Sequence, residues 1–104
     1  MHVLVTGAAG KVGRFVAAGL RQQGHLVRGS DIVTVPDLDE TMVGDLGDYD
    51  FVRRAVEGVE AIVHLGGNPG EKPWPEIRNN NYVGCYNVFE AARDLDDVRS
   101  GVIE

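Results

Sequence analysis

Cysteine is nearly absent from the 104-residue sequence. The one copy, Cys85, has no second thiol for an internal disulfide, which fits a reducing cytoplasm. Long apolar runs are missing too: none nears the ~20 residues of a bilayer span, which excludes a transmembrane helix. Basic residues are few and scattered, ten Lys and Arg against sixteen Asp and Glu, for a formal net charge of −6. Phosphate backbones and anionic lipid would be repelled, so nucleic acid and membrane are not expected as partners. The N-terminus enters a strand pattern at once, without the charged and apolar stretches of a signal peptide, and a cytoplasmic location is expected. Repeats, linkers and low-complexity segments are absent. With 43% apolar and 25% charged residues, the composition is that of one ordinary globular domain, residues 1–104.

What is present is an alternation of strand and helix patterns. HVLVT (His2 to Thr6) predicts a buried parallel strand, ended by Gly7. Beyond it Val12, Phe15, Val16, Gly19 and Leu20 fall at steps of three and four, predicting the buried face of a helix, with Gly24 as its left-handed cap. His25 to Asp31 reads as a second strand, 34–39 as loop, and Thr41 to Gly44 as a short third strand. Asp48 is the expected N-cap of a helix over Tyr49 to Glu57, with Phe51, Val52, Ala55 and Val56 inward and Gly58 closing it. Glu60 to Leu65 predicts a fourth strand. After the Gly- and Pro-rich GGNPGEKPWP comes a long helix from about Pro75 to Leu95, with Ile77, Val83, Val88, Phe89, Ala92 and Leu95 apolar. Val98 to Ile103 is a weak fifth strand. Such an order implies an α/β fold, a doubly wound parallel sheet of Rossmann-like type with strand order 3-2-1-4-5. Its second and third strands are expected to be joined by loop alone.

The first strand-to-helix turn, TGAAGKVG, lies where such a sheet binds ligands. Gly7 permits the sharp turn, Gly10 lets backbone approach a pyrophosphate, and Gly13 allows helix to pack on strand. The helix N-terminus offers unpaired N–H groups to phosphates. Ala9, Lys11 and Val12 between the glycines are counted with them as cofactor-binding, and Lys11 and Arg14 could add charge. A glycine motif alone is weak, and a tight turn that binds nothing is the plain alternative. Context favours binding, because Asp31 ends the next strand 18 residues beyond Gly13. A carboxylate there accepts from the adenosine ribose hydroxyls and repels a 2′-phosphate, which favours NAD over NADP.

Three further stretches follow in order: Gly44-Asp45-Leu46, His64-Leu65-Gly66-Gly67, and Asn81 with Gly84 and Asn87-Val88-Phe89-Glu90-Ala91-Ala92. Together with TGAAGKVG they resemble the extended short-chain dehydrogenase/reductases, the NAD-dependent epimerase/dehydratase family. The resemblance runs over residues 3–93 and implies NAD as cofactor. It assigns Asp45 and Leu46 to adenine, Leu65, Gly66 and Gly67 to the nicotinamide ribose side, and Asn81 to the neighbourhood of the active centre. Within the family, IVHLGG, Glu71-Lys72-Pro73 and NVFEAAR look most like the uronate dehydrogenase group. That implies hydride transfer from a hexuronic acid, at C1, to NAD. A sugar-nucleotide epimerase or dehydratase, and a non-catalytic nucleotide-binding or dimerising module, are the alternatives.

The family's chemistry uses a Y-x-x-x-K pair. The tyrosines here are Tyr49, Tyr82 and Tyr86, the lysines Lys11 and Lys72, and no such pair exists. The chain is therefore expected to be an N-terminal part, without catalytic residues of its own. It is also expected to self-associate through an exposed sheet edge or helix face. The acidic series Asp37, Asp39, Glu40, Asp45, Asp48 and Asp50 lacks calcium-loop spacing, so no metal site is expected and, Asp45 apart, solvated charge is the reading. His64 is read as a histidine satisfied by backbone beside the cofactor channel, Trp74 as a staple at the entry to the long helix, and Cys85 as buried filler. Of Asn79, Asn80 and Asn81, poor residues for a helix interior, at least one should bond something specific.

Overall fold

The computed structural model describes residues 1–65, 84–93 and 102–103. Over these the chain runs β1 (His2–Thr6), α1 (Lys11–Gln22), β2 (Leu26–Asp31), β3 (Glu40–Val43), α2 (Tyr49–Val56), β4 (Ala61–His64), α3 (Gly84–Arg93) and β5 (Val102–Ile103). Every pairing is parallel, in the order β3-β2-β1-β4-β5. The four longer strands stand in the expected order 3-2-1-4. The fifth is a two-residue pairing of Val102 and Ile103 with Ile62 and Val63, and 98–101 lie outside the described residues. No described helix is long and apolar enough to cross a membrane.

The unbroken apolar run of β1 follows from cover on both faces. Val3 and Val5 join Ala17 of α1 and Val27 of β2 in one cluster; Leu4 points the other way, into Phe51, Val52, Ala55 and Val56 of α2, Ile62 of β4, and Val88 and Ala91 of α3. Asp48 caps α2 as expected, its Oδ1 accepting from the N–H groups of Asp50 at 3.0 Å and Phe51 at 3.4 Å. Of the long helix expected from about Pro75 to Leu95, Gly84–Arg93 is described and is helical. Ile77, Val83 and Leu95, the side chains of Phe89, Ala92 and Cys85, and Trp74 with its loop lie outside the described residues.

The buried face of α1 differs from the expected stripe. Gly13 and Ala17 are buried with Val16 and Leu20 packed beside them, while Val12 is 64% and Phe15 82% exposed. The cause is Gly13, whose α-carbon sits against the backbone of Gly7 and Ala8. That contact sets the helix rotation, and residues 16, 17 and 20 follow it at steps of three and four.

β2 and β3 are joined by 32–39 without helix or strand, as expected. The loop does a helix's work there: Val35 and Leu38 pack over Gly29, where a Cβ would lie 2.4 Å from Leu38 Cδ1. β3 begins one residue earlier than its pattern suggested, and Glu40 is not a solvated loop charge. Its Oε1 accepts from Arg28 Nε at 3.2 Å and contacts His2 Nε2. Desolvation pushes the Glu40 carboxyl up, but hydrogen bonds from His2 and Arg28 and their charge outweigh it and hold it below the usual carboxylate range. Arg28 Nη1 also donates to the carbonyls of Ala55 and Glu57, both at 2.7 Å, closing the negative end of α2. Arg28→Ala is expected to lower unfolding free energy by about 2–3 kcal/mol in urea titration, since charged hydrogen bonds to the Ala55 carbonyl, part-buried, and to the exposed Glu57 carbonyl are lost with the Glu40 pair. Asp39→Ala, which breaks only the surface pair with Arg21 at 3.5 Å, should change it by less than about 0.5 kcal/mol.

Candidate functional site

At the C-terminal end of β1 the chain must reverse within a few residues, and Gly7 does so at φ +68°, a left-handed conformation costly for any residue with a Cβ. Gly10 N–H donates to the Gly7 carbonyl at 3.2 Å and Arg14 N–H to the Gly10 carbonyl at 2.9 Å, which starts α1. Gly10 is the N-cap and has no side chain to bond the first turn, and no acidic residue stands in that turn. The positive end of α1 is thus offered uncapped at the C-terminal end of the central strand β1. Lys11, Val12 and Arg14 are exposed around it. Arg14 lines a cavity of about 250 Å³ between α1 and residues 35–38.

Asp31, at the end of β2, is bound to this turn. Its Oδ2 accepts from Ala9 N–H at 2.9 Å and its Oδ1 from Ile32 N–H at 2.7 Å. The Ser30 carbonyl accepts from Ala8 N–H at 3.1 Å, so β2 and the glycine turn are joined by backbone as well. The Asp31 carbonyl in turn accepts from Gly44 N–H at 3.0 Å, which brings the end of β3 alongside. Asp45 and Leu46 follow in a tight turn. Asp45 Oδ1 accepts from Gly47 N–H at 2.8 Å, and the Asp45 carbonyl from Asp48 N–H at 2.9 Å.

β4 is secured to β1 by Thr6, whose Oγ1 accepts from Leu65 N–H at 2.9 Å and lies 2.7 Å from His64 Nδ1. A described partner of His64 is therefore the side-chain hydroxyl of Thr6. Gly7, Ala9, Gly10, Lys11, Val12, Gly13, Asp31, Asp45, Leu46 and Leu65 thus gather at one end of the sheet, on consecutive turns of β1, β2, β3 and β4. Gly66, Gly67 and Asn81 lie outside the described residues. Among the described residues no three potential metal ligands come together.

Sequence reasoning quoted two residues at this end within its motifs and gave them no role. Thr6 is a buried hydroxyl closing an apolar strand, and Asn87 is 6% exposed and donates from Nδ2 to the Leu46 carbonyl at 2.9 Å. The signal for Asn87 was its place inside a helix, where Asn is disfavoured unless it bonds something.

Comparison with known proteins agrees with this geometry. Residues 3–102 match the description of the NAD dependent epimerase/dehydratase family. A curated relative, the uronate dehydrogenase of Pseudomonas syringae pv. tomato, is 45% identical over 96 residues, covering 88% of this chain and 35% of the relative. Among solved structures, a mutant uronate dehydrogenase from Agrobacterium tumefaciens complexed with NAD is 39% identical with a TM-score of 0.82, over 88% of this chain and 36% of that one. A short-chain dehydrogenase/reductase superfamily protein from the same organism, with bound NAD, is 37% identical with a TM-score of 0.89, over 99% of this chain and 32% of that one. The chain spans about a third of the length of the curated relatives it matches. It belongs to the NAD dependent epimerase/dehydratase family.

Proposed function

We propose that the chain is a single NAD-binding domain of an oxidoreductase similar to uronate dehydrogenases, acting in the cytoplasm on a hexuronic acid. The observation that carries the reading is the bond from Ala9 N–H to Asp31 Oδ2, 2.9 Å. It sets a carboxylate suited to a ribose diol beside an uncapped helix N-terminus suited to a pyrophosphate. Gly7, Gly10 and Gly13 with Ala9, Lys11 and Val12 hold the pyrophosphate, Asp31 the adenosine ribose, and Asp45 and Leu46 the adenine. Leu65, Gly66, Gly67 and Asn81 serve the nicotinamide end. Bound NAD supplies a hydride acceptor. This chain's residues bind and orient it, and an acid–base pair of the Y-x-x-x-K kind is not among them.

The relatives' names and NAD complexes support the cofactor and substrate class. Self-association belongs to the same proposal: Val12 and Phe15 leave an apolar strip of α1 in water, and sedimentation velocity should detect a species heavier than one chain. Glucuronate or galacturonate added to the 104-residue chain with NAD should produce no rise in NADH absorbance, although NAD is bound. Sustained NAD reduction would overturn the division between binding here and proton transfer elsewhere.

A further inference from the structure

We infer that Asn87 of α3 is a positioning residue for the adenine end of the site, acting through one peptide plane on the Asp45 carboxylate. The inference rests on the proposed assignment of Asp45 to adenine.

The Asp45–Asp48 turn is held by two kinds of bond. Those inside it are local, from Gly47 N–H to Asp45 Oδ1 at 2.8 Å and from Asp48 N–H to the Asp45 carbonyl at 2.9 Å. A bond that reaches the turn from another element spans 41 residues: Asn87 Nδ2 donates to the Leu46 carbonyl at 2.9 Å. A carbonyl can only accept, so the amide orientation of Asn87 is fixed by its partner.

The Leu46 carbonyl and the Gly47 N–H belong to the same planar trans peptide, so they point in opposite directions. When Asn87 draws the carbonyl toward α3, the N–H is turned outward, and there it meets Asp45 Oδ1. Fixing one end of the peptide thus fixes the carboxylate at the other. Asn87 is 6% exposed and flanked by Val88, which is fully buried in the core, so the donor is supplied from a rigid helix face. Without it the Leu46 carbonyl loses this donor, the peptide is less restrained, and the Gly47 N–H that Asp45 Oδ1 accepts from is no longer held in place.

A carboxylate held this way accepts from an amino group, and the adenine 6-amino group is the donor that NAD offers. Nicotinamide hypoxanthine dinucleotide carries a carbonyl oxygen at that place, which accepts and cannot donate, and its donor is N1–H instead. Asn87→Leu removes the donor and keeps side-chain bulk. By calorimetry its affinity for NAD should fall about tenfold, while that for the hypoxanthine dinucleotide changes less than about twofold. Amide hydrogen exchange of the free protein should quicken at Gly47 by about tenfold or more, with Val3 to Val5 of β1 unchanged.

Equal losses for the two dinucleotides, or unaltered exchange at Gly47, would overturn the inference. Should the Leu variant not fold, Asn87→Ser carries the same comparisons, because its hydroxyl is too short to reach the Leu46 carbonyl, and the same pattern is expected. Absence of NAD binding by the unsubstituted chain would instead remove the nucleotide reading, and the adenine role with it. The exchange at Gly47 would then still report whether Asn87 holds the turn.

Discussion

Gly13→Ala is expected to destabilise the protein by about 3 kcal/mol or more, lowering its melting temperature on the order of 15 °C for a domain of this size. A Cβ at this position would lie 2.0 Å from the Gly7 carbonyl oxygen and 2.8 Å from the Ala8 α-carbon. Both are backbone, and neither can step aside as the end of a side chain can. Relief requires α1 to lift from β1, which pulls Val16, Ala17 and Leu20 out of the cluster they form with Val3, Val5 and Val27. Gly10→Ala is the control three residues away. Its Cβ would rest 3.5 Å from the Gly7 oxygen, an ordinary contact, and the residue has φ −76°. Its effect on stability should stay within about 0.5 kcal/mol, so that any loss of NAD affinity reflects crowding of the ligand rather than damage to the fold. Thermal denaturation of the two variants side by side gives the answer; equal stability would mean that Gly13 is not what seats the helix.

Asp31→Ala should weaken NAD binding roughly 30- to 100-fold and NADP binding by less than about threefold. The NAD loss corresponds to about one hydrogen bond to a charged acceptor, about 1.5–3 kcal/mol, at 1.4 kcal/mol per factor of ten. A 2′-phosphate gains nothing from this carboxylate and is repelled by it, so removing it spares NADP. The substitution also frees Ala9 N–H and loosens the glycine turn, which touches both dinucleotides alike. Asp31→Asn separates the effects, because an amide oxygen still accepts from Ala9 N–H while the charge is gone. It should retain the turn and shift the preference toward NADP. Parallel titrations of the three proteins with both cofactors read this directly. Equal losses for NAD and NADP would refute the ribose role.

The parts of the fold that were legible in the sequence are those fixed by local chemistry. An apolar strand ending at glycines, an aspartate three residues ahead of a helical apolar face, and glycines at helix ends mark β1, the cap of α2 and the stops of α1 and α2, and the structure has them there. Strand order followed because parallel strands with helical crossovers leave few windings. The rotation of α1 was not legible. Its apolar residues cover more than half the helix circumference, and the choice among faces is made by the contact of Gly13 with Gly7 rather than by hydrophobicity.

Pairings across the sequence were hidden for a similar reason. Glu40 meets Arg28 12 residues away and His2 38 residues away, and nothing in the local acidic run distinguishes it from its neighbours. The clustering of Asp31, Asp45 and Leu65 was anticipated by motif order, whereas the bonds that hold them came from Ala9, Thr6 and Asn87. Two of those three donate or accept through side chains whose partners lie 41 and 59 residues distant.

The central claim is that this chain by itself forms a dinucleotide site. Isothermal titration of the 104-residue protein with NAD and NADP, its fold checked by circular dichroism in the same buffer, tests it most directly. The account predicts one saturable site for NAD per chain, with NADP bound at least about tenfold more weakly because Asp31 opposes its 2′-phosphate. A folded protein that takes up no NAD at millimolar concentration, or that prefers NADP, would contradict it.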